Sequence, residues 1–376
     1  MIKILKTNAV RLRSFAATGT GRLDADHPEI RDIKNIQSGI TPEVIKQPGV
    51  FGTGIGLDNN RNPVLQIYVD KDHANSEAIV NELLNQYKDV ELEVHVREKF
   101  KTQAKSLIPC LGVSGSLALD IIATTTVGNC CSGTLGCLVW MGGLQYILSN
   151  WHVLEGSTYE VELCTSWADV PIGGQGECGD GPCGSCLGYT TFTRPCATGD
   201  PVVSPGVIDV DFPCSYWATQ IVGFLEKKFS LPGSNVDCAV AQLRTGLMRS
   251  DGFIRDIGVL SSATLPAALG QAVQKSGRTT DRTTGTVSSI NASISVDYSD
   301  KCGGATTFSK LFTNQILIAP DFGSFSEEGD SGSLVVEAGA ANPRAIGLLY
   351  AGSSTSTACN PIDEVLSFLG ATMVGV

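Results

Sequence analysis

The sequence predicts a mostly β protein with a small α/β unit near its N-terminus. Three observations carry this. Charged residues make up only 17% of the chain, below the roughly 25% of average soluble proteins. Glycine occurs 42 times, among many Thr, Ser and Val residues, a composition suited to strands joined by tight turns. Helical spacing of apolar residues is confined to short stretches, whereas short apolar strands bounded by Gly, Ser and Thr recur from about residue 105.

At 376 residues the chain is expected to form two or three domains. Residues 1–40 show little periodicity and read as an extension, loop and linker; Lys3, Lys6, Arg11 and Arg13 make its start basic. Residues 41–104 read as a small α/β domain. Val50 to Leu57 is a glycine-laced strand, Asp58 to Asn62 a turn, and Pro63 to Val69 a second strand. Ser76 is placed to cap a helix carrying Ile79, Val80, Leu83, Leu84 and Tyr87 at helical spacing. Val90 to Phe100 alternates as a half-exposed strand. The Gly52-x-Gly54-x-Gly56 pattern is not a nucleotide-binding fingerprint, because its spacing is wrong and it leads into a strand, not a helix. A hairpin whose backbones approach closely explains it better.

Residues 105–376 read as the main β domain. Thr134 to Trp140 and Gln145 to Asn150 form a hairpin around Gly142-Gly143, which delivers His152 just past a strand end. Residues 155–235 read as an irregular insertion rich in Gly, Pro and Cys. Further strands are expected at 236–243, 271–275, 285–290, 312–318, 333–337 and 345–350, with an ambiguous helix-like patch at 252–269. A short helix is expected at 361–369.

The net charge of −11 makes nucleic acid a poor partner. No run approaches the roughly 18–20 apolar residues of a spanning helix, and no apolar signal region follows Met1. The expectation is a soluble, cytoplasmic protein that does not enter a membrane. Its thirteen cysteines then read as reduced thiols or metal ligands, not a disulfide framework. Cys178, Cys183, Cys186 and Cys196 follow one another at spacings that a four-cysteine zinc site or a plant-type iron–sulfur pattern would tolerate. A glycine-rich loop of free thiols or local disulfides is the simpler reading, and no cofactor is expected.

The most informative stretch is Gly329-Asp330-Ser331-Gly332-Ser333. A serine between glycines, followed by the apolar run Leu334-Val335-Val336, suits a nucleophile on a tight turn, and it needs a base. His152 is the only histidine after His95. Asp237 opens an apolar strand, where a carboxylate is costly to bury without a partner; the ring N–H of His152 would be that partner. Asp209 and Asp211 are rivals on a less regular platform. Oxyanion donors would be the amides of Gly329 and Ser331, with that of Asp330 nearby. The order His152, Asp237, Ser331, at separations of 85 and 94 residues, is far more specific than any one member.

These residues resemble the trypsin/chymotrypsin-like serine protease superfamily, and more closely its branch of plant narrow-leaf serine proteases and their bacterial relatives. The resemblance rests on Gly49 to Gly56, Leu148 to Leu154, Gly199-Asp200-Pro201-Val202, Lys275 to Thr280, Phe325 to Ser333 and Asn360-Pro361-Ile362, and it spans about residues 49–376. It implies a chymotrypsin-like pair of six-stranded antiparallel barrels, with peptide-bond hydrolysis in the cleft by His152, Asp237 and Ser331. It also implies a substrate pocket at Phe325, Tyr350, Ala351 and Gly352. No acid stands at the pocket floor, so an apolar or small side chain is expected there, not Lys or Arg. Ser333 replaces a family glycine, and no cysteine follows His152. The relatives cut peptides or proteins and suggest homo-oligomers. No processing site is evident, so the uncut chain is expected to be competent. A catalytically silent barrel acting as scaffold or binding module, and a thiol- or metal-responsive regulator, stay open as alternatives.

Overall fold

The computed structural model describes residues 3–6, 23–102, 114–117, 132–156, 158–167, 186–206, 209, 220–299, 307–353 and 355–376. Within them the chain is mostly β, with two large sheets and short helices. No helix of the described residues is long and apolar enough to cross a membrane.

The first sheet has eight strands, in the order Thr372–Met373, Cys137–Met141, Leu144–Ser149, Ala239–Leu243, Gln220–Glu226, Pro201–Ser204, Ser114–Leu117, Gly133–Thr134. Gly133–Thr134, at one end of this order, leads through Leu135-Gly136 into Cys137–Met141, next to last at the other, so the sheet curls back on itself as a barrel. Gly142 and Gly143 both have positive φ, 59° and 81°, as the two-residue hairpin turn between these strands requires. Leu138, Ile147, Val202, Val222, Leu225 and Ala241 fill its interior.

The second barrel closes fully. Asp281–Tyr298 pairs with Ala272–Gly277, and the ladder continues through Leu334–Glu337, Ala345–Ser353 and Ser356–Pro361 to Phe308–Pro320, which returns to Asp281–Tyr298. Val273, Val287, Ile318, Val335, Ile346 and Leu349 line its core. A separate apolar cluster joins the barrels: Val139, Leu148 and Val240 meet Val336, Leu348 and the C-terminal helix Ile362–Leu369.

The N-terminal unit is stitched to the second barrel by backbone pairing. Val50–Leu57 pairs with Ser289–Ile294 of the long strand, extending that sheet through Pro63–Asp70 and Leu92–Arg97 to Lys3–Lys6. The glycines of Val50–Leu57 answer to this close fit. A Cβ on Gly54 would meet Tyr68 Oη at 2.5 Å, and one on Gly56 would strike the Gln66 amide.

Four expectations need correction. Residues 28–44 are a helix, Pro28–Val44, not linker; Ile30, Ile40 and Val44 sit buried on one face, but Gln37, Gly39 and Pro42 break the pattern in the bare sequence. The segment 155–235 is not irregular throughout. Thr158–Trp167 and Cys186–Pro195 form an antiparallel pair, and Pro201–Ser204 and Gln220–Glu226 are barrel strands. The patch at 252–269 holds two short paired strands and no helix. Ser76 is the first helical residue, preceded by Asn75, and no side chain caps that end.

Candidate active site

His152 lies in a one-turn helix, Trp151–Leu154, directly after the strand that ends at Ser149. Asp237 lies two residues before Ala239–Leu243, the neighbour of that strand. Pairing Ala239 with Ser149 therefore sets the two side chains beside each other. His152 Nδ1 lies 2.6 Å from Asp237 Oδ2. A carboxylate accepts, so the tautomer that suits this contact has its N–H at Nδ1.

Asp237 is fully buried, and its carboxylate is well supplied with donors. Besides the imidazole, Oδ1 accepts from the amides of Trp151 at 2.7 Å and His152 at 3.4 Å. Oδ2 accepts from the Tyr298 hydroxyl at 2.7 Å. The backbone is fixed too: the Asp237 amide donates to Asn360 Oδ1 at 2.9 Å, Asn360 donates to Gln315 at 2.7 Å, and Asn150 donates to the Asp237 carbonyl at 2.7 Å. Such support holds a charge out of water where it would otherwise be prohibitive.

Tyr298 and Asn360 come from the second barrel and are the site residues that sequence reasoning missed. Asn360 lies in a stretch that carries the family resemblance, but nothing local marks Tyr298. Burial raises the Tyr298 hydroxyl well above the usual phenol range, with the Asp237 charge adding to it, so it remains a donor. Tyr298→Phe removes one hydrogen bond to a buried carboxylate. It is expected to cost about 1.5–3 kcal/mol of stability and to lower turnover several-fold, read by urea unfolding and kcat; an unchanged midpoint would count against this network.

Ser331 sits on the turn that opens Leu334–Glu337 and is fully buried. This turn docks on the first barrel. The Ser331 carbonyl accepts from the Thr134 amide at 2.8 Å, and Thr134 Oγ1 donates to the Gly329 carbonyl at 3.0 Å. A Cβ on Gly332 (φ 94°) would strike the Thr134 carbonyl and Ser149 Oγ, so only glycine allows the approach. The turn of Ser331 is thus docked on the barrel that carries His152, and no hydrogen bond joins the two side chains among the described residues. Ser331 Oγ donates to the Tyr350 carbonyl at 3.4 Å, and His152 Nε2 is buried without a partner among the described residues.

The amides of Gly329 and Ser331 make no hydrogen bond among the described residues, whereas that of Asp330 donates to the Glu327 carbonyl at 3.0 Å. Asp330 is therefore corrected out of the donor set. Its role is internal: its buried carboxylate accepts from the amides of Thr279 (2.8 Å), Thr280 (3.2 Å) and Glu327 (3.0 Å) and from the Thr280 hydroxyl (2.7 Å), and Lys275 Nζ stands 3.2 Å away. Lys275 is another residue that sequence reasoning left without a role. Gly329 has φ 98°, and a Cβ there would strike Arg278 Nη1 and Thr279 Oγ1. Arg278 is held in place by bidentate pairing with Asp209, its Nε donating at 2.6 Å. Gly329→Ala is expected to re-aim the turn, at a cost of about 1–3 kcal/mol and 10²–10³ in kcat; a variant retaining full kcat would show that this amide is not needed.

Of the rival acids, Asp209 serves Arg278, and Asp211 lies outside the described residues. Of the pocket residues, Phe325 is packed into the second-barrel core with Ile318 and Leu349. The Tyr350 ring lies against Phe312, centroids 4.8 Å apart, and its buried hydroxyl has no partner. Ala351 and Gly352 are buried at the end of the same strand. Of the cysteines, Cys178 and Cys183 lie outside the described residues, and Cys186 opens the strand Cys186–Pro195. Cys196 is buried, donates its thiol to the Glu155 carbonyl at 2.8 Å, and is pushed up to about 11 by that burial.

Residues 237–360 match the family model of the Nal1 C-terminal domain; that range starts at Asp237 and includes Ser331. Protein NARROW LEAF 1 of Oryza sativa subsp. japonica is 31% identical over 113 residues, which is 29% of this chain and 18% of the rice protein. The match therefore spans less than a fifth of that relative's length. Among solved structures, Thermobifida fusca protease A is 17% identical with a TM-score of 0.38, over 72% of this chain and all of the other. Cellulomonas bogoriensis chymotrypsin is 18% identical with a TM-score of 0.37, over the same shares. A glutamic acid specific serine protease is 18% identical with a TM-score of 0.37, over 64% of this chain and 93% of the other.

Proposed function

We propose that this chain is a serine endopeptidase. The observation that carries the reading is the 2.6 Å contact between His152 Nδ1 and Asp237 Oδ2, which supports a role for the buried Nε2 as the base for a serine on a double-glycine turn. Ser331 Oγ would leave the Tyr350 carbonyl by a χ1 rotation and attack the substrate carbonyl carbon. As the O–C bond forms, its proton passes to His152 Nε2 and the carbonyl electrons move onto oxygen, facing the Gly329 and Ser331 amides. The C–N bond then breaks, the amine leaves with the proton from His152, and water resolves the acyl-enzyme by the same steps in reverse order. Asp237 holds the imidazole in the correct tautomer and stabilises it when charged. Substrate would be an extended peptide lying along Tyr350, Ala351 and Gly352.

A fluorophosphonate probe tests this. Expected is covalent labelling of Ser331 that is lost in Ser331→Ala. One observation favours a second reading, a silent binding module: Ser331 is fully buried and bonded away from His152. Folded protein that never labels would decide for it.

A further inference from the structure

The strand that would receive substrate is already paired with the chain itself. Ala345–Ser353 has Ser356–Pro361 along one edge, from Gly347 to Ser353. Its other edge carries Leu334–Glu337 from Ala345 to Leu348, and Gly332 and Ser333 continue that pairing to the carbonyl and amide of Leu349. Beyond that point the edge is taken by Lys101–Thr102, antiparallel, with Thr102 opposite Ala351 and Lys101 opposite Gly352. Lys101 also pairs in parallel with Asp297 of the long strand. As the chain passes from Lys101 to Thr102 it advances from Gly352 to Ala351, in the direction of Tyr350, whose carbonyl lies 3.4 Å from Ser331 Oγ.

The segment is anchored just upstream. Phe100 is fully buried in the cluster that contains Tyr298, Tyr350 and Ala351, with its ring edge-on to Phe51 at 5.9 Å. Lys99 Nζ lies 3.1 and 3.2 Å from the two carboxylate oxygens of Asp297. An extended peptide recognises a sheet edge by main-chain pairing, and an edge holds one such strand at a time. The burial of Ser331 and His152 agrees with a site whose substrate edge is filled.

We propose that Lys101–Thr102 is a resident strand that occupies the substrate edge beside Ser331, so that an incoming polypeptide must displace it. The proposal rests on the peptidase reading only for the identity of that polypeptide. Being tethered, the resident strand competes at an effective concentration in the millimolar range. Apparent affinity for substrate is then reduced by the fraction of molecules in which the edge is open.

The test is Lys101→Pro/Thr102→Pro, which removes both segment N–H donors without touching Phe100. Lys99→Ala is the milder companion, loosening the tether at a half-buried position. Hydrogen exchange of the fragment 345–353 is expected to quicken about tenfold in the proline variant and by less in Lys99→Ala, and fluorescein-casein at saturating concentration should restore protection. KM for casein should fall about tenfold, with kcat unchanged. Unchanged exchange in a folded proline variant, with a thermal midpoint close to that of the parent, would overturn the proposal. If Ser331 proves inert to fluorophosphonate in every variant, the peptidase reading fails by itself, and the exchange result still decides the strand question.

Discussion

Ser331→Ala is expected to lower peptide turnover by about 10⁶, the scale on which triads lose activity when one member is removed. The size follows from what alanine takes away. The neighbouring hydroxyls are engaged elsewhere: Ser333 Oγ donates to the Asp330 carbonyl at 2.6 Å and Thr134 Oγ1 to the Gly329 carbonyl at 3.0 Å. Without an attacking oxygen the imidazole has no proton to accept. Stability should change little, because the Ser331 hydroxyl has only a long 3.4 Å bond to the Tyr350 carbonyl. The diagnostic result is a folded protein with an unaltered urea midpoint and only residual hydrolysis. Full turnover in the alanine variant would contradict the assignment outright.

Lys275→Met is expected to have the largest effect on stability, a loss of about 3–5 kcal/mol, because it takes away the amine, charged or neutral, that donates to the Thr280 hydroxyl and the Asp281 carbonyl beside the buried Asp330 carboxylate. Both side chains of this pair are fully inaccessible. Lys275→Met/Asp330→Asn should recover much of that stability, since removing both charges is far less costly than removing one. Turnover should suffer in both variants, because the pair ties Ala272–Gly277 to the turn that aims Gly329 and Ser331. Lys275 is thus a positioning residue, and pH separates that role from mere packing. Burial lowers the Lys275 ammonium below the ordinary lysine range, and the attraction of Asp330 opposes this only in part. In the window between its folded value and the ordinary value near 10.5, the unfolded chain holds more protons than the folded one. Stability from this group therefore rises with pH through that window, while activity falls there as the ion pair loses its charge. An alkaline loss of turnover beginning below the ordinary lysine range, without a matching loss of stability, is the expected signature. Lys275→Arg, which cannot deprotonate, should remove that limb; its persistence in the arginine variant would refute the role.

Much of the site was legible because its chemistry needs rare residues in distinctive settings. One histidine stands in the entire β region, one serine is bracketed by Gly329 and Gly332, and Asp237 opens an apolar strand where a carboxylate demands a partner. The strands of the second barrel were legible for a similar local reason, since alternation and turn residues coincide there. The strands at 201–204 and 220–226 were not, because they are short and embedded in Gly, Pro and Cys. The helix Pro28–Val44 was missed because its buried face is interrupted by Gln37, whose amide nevertheless donates to Thr53 Oγ1 at 3.2 Å and to the Asn291 carbonyl at 2.9 Å. Tyr298 was invisible because its value lies wholly in an oxygen 61 residues away from its own position.

By itself, the order of residues determined the β class, singled out His152, Asp237 and Ser331 as candidates, and marked the turn that carries the serine. These depend on composition, period and local backbone freedom, which act over a few residues. Tertiary structure alone decided that Tyr298 and Asn360 hold Asp237, that Lys275 neutralises Asp330, and that Lys101–Thr102 lies on the edge at Ala351–Gly352. Each of these joins groups brought together by barrel closure, where burial makes every unpaired charge and every open strand edge costly, and no local pattern encodes which distant partner will answer.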